Sequence, residues 1–128
     1  MPTYTYDHIH LRSRDPMSTA QYYEKMFGAK IVESTQSDGQ QRIDLDINGL
    51  VVFIARIPED ADVPSAPSEP YAGLDHFGLR VESLDEAAAE LKRLGAEFTL
   101  EPRTLRPGLK IAFVLGPDDV RIELLERS

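Results

Sequence analysis

The chain has 128 residues, 41% of them hydrophobic and 28% charged, with a formal net charge of −8 and no cysteine. That length suits one ordinary domain with a buried core, and the acidity excludes non-specific binding to nucleic acid or anionic lipid, which needs clustered Lys and Arg. The missing cysteines exclude disulfides, thiolate metal sites and a cysteine nucleophile. No apolar run reaches the ~20 residues of a membrane-spanning helix. The opening MPTYTYDH lacks the basic-then-apolar layout of a secretion signal, so a cytoplasmic protein is expected.

In chain order, YDHIHLRS reads first as a strand, with Ile9 and Leu11 on one face and His8, His10 and Arg12 on the other. Asp15 is placed to cap a helix with Pro16 at its first position, and TAQYYEKMFG carries that helix to Gly28. Tyr22, Tyr23, Met26 and Phe27 recur at helical spacing and are expected to pack. KIVEST is a strand running to a turn at Asp38-Gly39. RIDLDI then leads through an Asn48-Gly49 hairpin signal to LVVFIARI. PEDADVPSAPSEPYAG, residues 58–73, holds four prolines and reads as a linker.

The order of elements then starts again. LDHFGLR opens a strand, Ser83 and Glu86 are spaced as a capping box, and LDEAAAELKRLG is a helix ending at Gly95. AEFTLE, a turn at Pro107-Gly108, LKIAFVL, a turn over 116–119 and VRIELLE complete the second half. Asp7-His8-Ile9-His10-Leu11-Arg12 aligns with Asp75-His76-Phe77-Gly78-Leu79-Arg80, identical at Asp, His, Leu and Arg. The expectation is therefore an α+β fold of two tandem βαβββ modules, at about 4–57 and 74–127, within one domain over 1–128. Alternation buries one face of each strand and leaves the other polar. That polar face holds all three histidines and Glu123.

The paired phrases YDHIHLRSRD and LDHFGLRVES, with GPDDVRIELLE closing the chain, resemble the vicinal oxygen chelate superfamily of glyoxalases, epimerases, extradiol dioxygenases, fosfomycin thiol transferases and bleomycin-resistance proteins. The resemblance covers about residues 6–126. It implies an open curved sheet, or half-barrel, around a cleft, and assembly as a homodimer. By position it implies His8, His76 and Glu123 as ligands of one divalent metal, of Ni, Zn, Mn, Co or Fe type. The fourth ligand position of glyoxalases and epimerases falls on Phe53, where this chain departs from the pattern.

Two histidines and a carboxylate leave about three coordination positions for adjacent substrate oxygens. The expected function is a lyase or isomerase of glyoxalase or epimerase kind, acting on a small substrate with vicinal oxygens. The alternatives are an extradiol-type ring-cleaving dioxygenase or thiol transferase using the same three ligands, and a non-enzymatic ligand-binding protein of the bleomycin-resistance type. Catalytic roles are expected for Glu123 and for His10, an extra histidine whose counterpart is Gly78. For His10 a general acid or base, an additional ligand in place of the one missing at Phe53, and an orienter of a ligand are the competing roles, the first being favoured. Substrate contacts are expected from Arg12, Arg80 and Phe53. Arg12 and Arg80 have a salt bridge to Asp44 or Asp46 as their competing role.

Overall fold

The computed structural model describes residues 1–128 and divides into two units, residues 1–63 and 64–128. In the first unit β1 (Ile9–Ser13) and α1 (Pro16–Phe27) precede β2 (Lys30–Thr35), β3 (Gln41–Ile47) and β4 (Leu50–Arg56). In the second, β5 (Phe77–Arg80) and α2 (Leu84–Arg93) precede β6 (Glu97–Arg106), β7 (Leu109–Leu115) and β8 (Arg121–Arg127). Each unit is therefore a βαβββ module carrying an open four-stranded sheet, in the orders β1-β4-β3-β2 and β5-β8-β7-β6. The first strand of each pairs parallel with the last, and the other neighbours are antiparallel. The helix carries the chain from the first strand to the far edge of the sheet, and two antiparallel turns then bring the last strand beside the first.

Local chemistry sets the ends of the elements. Asp15 accepts the Ser18 amide at 3.2 Å, Pro16 follows it, and Gly28 closes α1 in the left-handed conformation at φ 69°. The β3–β4 hairpin turns on Asn48 (φ 49°) and Gly49 (φ 97°), a two-residue turn with positive φ at both centres. Asp46 ties it by accepting the Gly49 amide at 2.7 Å. The expected capping box of α2 forms by half. Ser83 accepts the Glu86 amide at 3.3 Å, but the free Leu84 amide is taken by the Glu126 carboxylate of β8 at 2.8 Å. This tertiary partner satisfies one of the unpaired donors at the helix start, a different one from the Ser83 amide that a full capping box would engage.

Each helix covers one face of its own sheet. Module 1 buries Ala20 and Tyr23 of α1 against Leu45, Val52 and Ile54. Under them the buried hydroxyls of Ser13 and Thr19 bond at 2.6 Å, so neither polar group is stranded. Module 2 buries Leu84, Ala88 and Leu91 against Ala112, Val114, Ile122 and Leu124. Fully burying one such aliphatic side chain contributes about 1.5–3 kcal/mol. The opposite face of each sheet carries no helix and holds the polar set.

Candidate functional site

The ladders fix which residues sit side by side on that open face. In module 1 His10 pairs with Phe53, and Phe53 pairs with Asp44 across the next ladder. In module 2 Gly78 pairs with Glu123, and Glu123 pairs with Phe113. Phe53 and Glu123 thus occupy equivalent places, and so do Asp44 and Phe113. The acid and the aromatic have traded strands between the modules.

Both His8 and His76 lie one residue before their strands begin, at the mouth of the ladder rather than within it. This corrects the placement of His8 on β1. Each ring has its Nδ1 against the carboxylate of the preceding aspartate, at 2.6 Å for Asp7–His8 and 2.7 Å for Asp75–His76. A carboxylate only accepts, so Nδ1 carries the hydrogen and Nε2 is turned outward. In module 2 that Nε2 lies 3.2 Å from Oε1 of Glu123, on a half-buried pair. Arg121 holds the other oxygen of Asp75. The hydrogen bond from His76, followed by the charge of Arg121, holds the Asp75 carboxyl below its ordinary 3.8.

Beside this pair the bare Gly78 leaves space for the Leu125 side chain. A Cβ there would stand 2.9 Å from Cδ1 of Leu125 and 3.7 Å from the Glu123 carboxylate. The Phe113 ring meets His76 edge-on, with centroids 4.8 Å apart. In module 1 the equivalent contact is apolar. The His8 ring stacks on Phe53 at 4.0 Å and 30°. The Arg42 guanidinium lies 4.2 Å from the centroid of the same Phe53 ring, and its Nε bonds the two Asp44 oxygens at 2.9 and 3.2 Å.

The structure thus brings His76 and Glu123 together and leaves His8 in the other module, against Phe53. Within neither module do three or more His, Asp or Glu side chains gather as they would around a metal ion. The pair still has the spacing of two neighbouring donors. Ligand atoms at about 2.1 Å from one ion, separated by 90–110°, stand roughly 3.0–3.4 Å apart.

His10 is exposed and lines an open cavity of about 710 Å³ in module 1, where β3 begins and β4 ends. Phe53, Asp44, Arg42 and Arg56 line it too. Arg12 and Arg80 are exposed. Neither takes the salt bridge to Asp44 or Asp46 considered for it, because Arg42 holds Asp44 and the Asn48-Gly49 turn holds Asp46. Arg80 instead borders a shallow hollow with Glu82 and Arg127. Sequence reasoning passed over Asp7, Asp75, Arg42 and Arg121. The Asp-His pair repeats identically in both copies, which was the signal for the first two. Arg42 and Asp44 are two apart on one strand, hence neighbours on one face.

Comparison with known proteins agrees with the fold. The family model described as the Glyoxalase/Bleomycin resistance protein/Dioxygenase superfamily matches residues 5–124. The chain is 30% identical over 125 residues to the uncharacterized protein YwkD of Bacillus subtilis (strain 168), covering 94% of each. It is 25% identical to glyoxalase I of Saccharomyces cerevisiae, over 99% of this chain but only 46% of that enzyme. Among solved structures, a glyoxalase family protein from Enterococcus faecalis superposes with a TM-score of 0.71 at 26% identity, over 93% of this chain and 94% of that one. The fosfomycin resistance protein FosX of Listeria monocytogenes, solved with Mn(II), shares the fold with a TM-score of 0.73 at 21% identity, over 99% and 93% of the two chains. With a profile match from residue 5 to 124 and a doubled βαβββ fold behind it, the chain belongs to the glyoxalase/bleomycin resistance protein/dioxygenase superfamily.

Proposed function

We propose that the chain is a metal-dependent lyase or isomerase of glyoxalase or epimerase kind, acting on a small substrate with neighbouring oxygens. His76 and Glu123 would hold one divalent ion, and His8, at the same place in its own module, would be the third ligand. The observation that carries this reading is the 3.2 Å approach of His76 Nε2 to the Glu123 carboxylate while Asp75 occupies Nδ1. A lone pair does not face a carboxylate at that distance without positive charge between them. Either a proton or a metal ion satisfies the pair, and metal binding at such sites displaces protons. A bound ion of Ni, Zn, Mn, Co or Fe type would supply Lewis-acid polarisation of two adjacent substrate oxygens.

The remaining roles fall to the chain's own residues. Asp7 and Asp75 orient the imidazoles and fix their tautomer. Glu123 is a ligand and the nearest carboxylate able to accept a substrate proton. His10 moves a proton as general acid or base. Phe53 packs against the substrate's apolar part, and Arg12 and Arg80 offer charge to an anionic one. The working form is proposed as a cytoplasmic homodimer. The likeness to glyoxalase I and to a Mn(II)-bound resistance protein supports the metal-enzyme class. Phe53, which offers no donor at the place equivalent to Glu123, favours a second reading: a ring-cleaving dioxygenase or a thiol transferase with three protein ligands.

Elemental analysis of protein purified without chelator tests the reading. About one divalent ion per chain is expected, lost in His76→Ala and Glu123→Ala with the fold retained. Isomerisation of a hemithioacetal with nickel or cobalt supplied separates the first reading from the second, which predicts oxygen uptake with catechols or thiol transfer instead. A wild-type chain that holds none of these metals would sink both, and leave the ligand-binding alternative.

A further inference from the structure

The cavity of module 1 lies outside the His76–Glu123 pair and is lined entirely by that module's residues. Its charge is opposite to that of the protein. Two guanidinium groups, Arg42 and Arg56, face it against one carboxylate, Asp44, in a chain of net charge −8. Gln36 and Gln40 of the β2–β3 turn and Gln41 at the start of β3 line it too.

Arg42 is held on two sides. Its Cζ lies 4.2 Å from the centroid of the Phe53 ring, and only its Nε is engaged by Asp44. A guanidinium has five N–H donors in a planar fork. With Nε tied, the terminal Nη1 and Nη2 are left as a pair, and the stack and the ion pair have already removed much of the side chain's freedom. Such a fork matches the two oxygens of a carboxylate, and preorganisation lowers the entropy lost on binding. Asp44 meanwhile prevents the group from turning away. Arg56 is steadied by one bond from Nη1 to the Arg14 carbonyl at 3.3 Å.

We infer that this cavity is a carboxylate-binding subsite, in which the Arg42 fork takes a planar carboxylate of the substrate and Arg56 adds a second positive charge. This deepens the proposed function, because it assigns to the substrate an anionic group apart from its vicinal oxygens. Malonate, a small dicarboxylate, and its uncharged isostere malonamide serve as probes on metal-stripped protein, so failure here is separable from failure of the metal reading.

The experiment follows backbone and Arg Nε chemical shifts during titration with each probe. Malonate is expected to shift the Arg42, Phe53 and Arg56 resonances saturably and malonamide to leave them in place. Arg42→Gln is expected to weaken malonate about tenfold or more, and Arg56→Gln by a smaller factor, with spectra elsewhere unchanged. Arg42→Lys, which keeps the charge and loses the fork, is expected to bind as weakly as Arg42→Gln. Equal shifts from both probes, or wild-type affinity in Arg42→Gln, would overturn the inference. Inorganic phosphate binding the same residues tenfold more tightly than malonate would overturn the planar-carboxylate assignment.

Discussion

His76 depends on its neighbour in sequence for its usefulness. A ring free to flip would present either nitrogen, and the Nδ1 bond to Asp75 at 2.7 Å removes that choice. Asp75 is itself fixed by Arg121, so the order of support runs arginine, aspartate, histidine, glutamate across β8 and the start of β5. Asp75→Asn keeps the shape and removes the charge. It is expected to lower divalent-metal affinity about 10- to 100-fold, as loss of such outer partners typically does. Competition with a fluorescent zinc chelator measures it, and an unchanged affinity would remove Asp75 from the site. The same variant has a signature in acid. Because the folded-state pKa of Asp75 lies below 3.8, its stabilising contribution is present above that value and lost as the pH falls through the depressed one. The melting difference between wild type and Asp75→Asn should therefore shrink as the pH drops into that range.

At the scale of elements, helix ends and turns were legible because their chemistry is local. Asp15-Pro16 and Gly28 bracket α1, and Asn48-Gly49 makes the hairpin, where the sequence placed them. Asp15→Ala leaves the Ser18 amide without its acceptor and is expected to destabilise the protein by about 1 kcal/mol. Urea unfolding would show a lower midpoint with an unchanged slope. Stability equal to wild type would mean that water caps the helix as well as Asp15 does. The α2 start illustrates the limit of local reading. Ser83 caps as expected, but the neighbouring Leu84 amide is met by Glu126, 42 residues further on. The same limit applies to the site. The Asp-His repeat was visible in sequence, whereas Arg121 on Asp75 joins residues 46 apart and needs the β5–β8 pairing to exist. Arg42 was misjudged for another reason. A cation for Asp44 was sought in Arg12 and Arg80, and Arg42, two positions away on the same strand, went unweighed.

Across the whole molecule the two modules meet one structural position in opposite ways. In module 2 it is Glu123 against His76 with Phe113 beside it; in module 1 it is Phe53 against His8 with Asp44 beside it. Phe53→Glu alone would look like the restoration of a fourth donor. The surroundings argue otherwise, because the Arg42 guanidinium lies 4.2 Å from the Phe53 ring and would capture a carboxylate there. Asp44 would then lose its partner to the newcomer. Phe53→Glu is accordingly expected to change zinc affinity by less than about threefold, since neighbours in one network do not act independently. Removing the competitor as well, in Phe53→Glu with Arg42→Gln, should release the new carboxylate and tighten zinc by about tenfold, which is a coupling of roughly 1.4 kcal/mol. Zinc competition on the four members of this cycle, with Arg42→Gln alone as the reference, measures that coupling directly. Tenfold tighter binding in Phe53→Glu by itself would mean that Arg42 does not guard the position, and that the exchange of acid and aromatic between modules places no barrier to a fourth ligand.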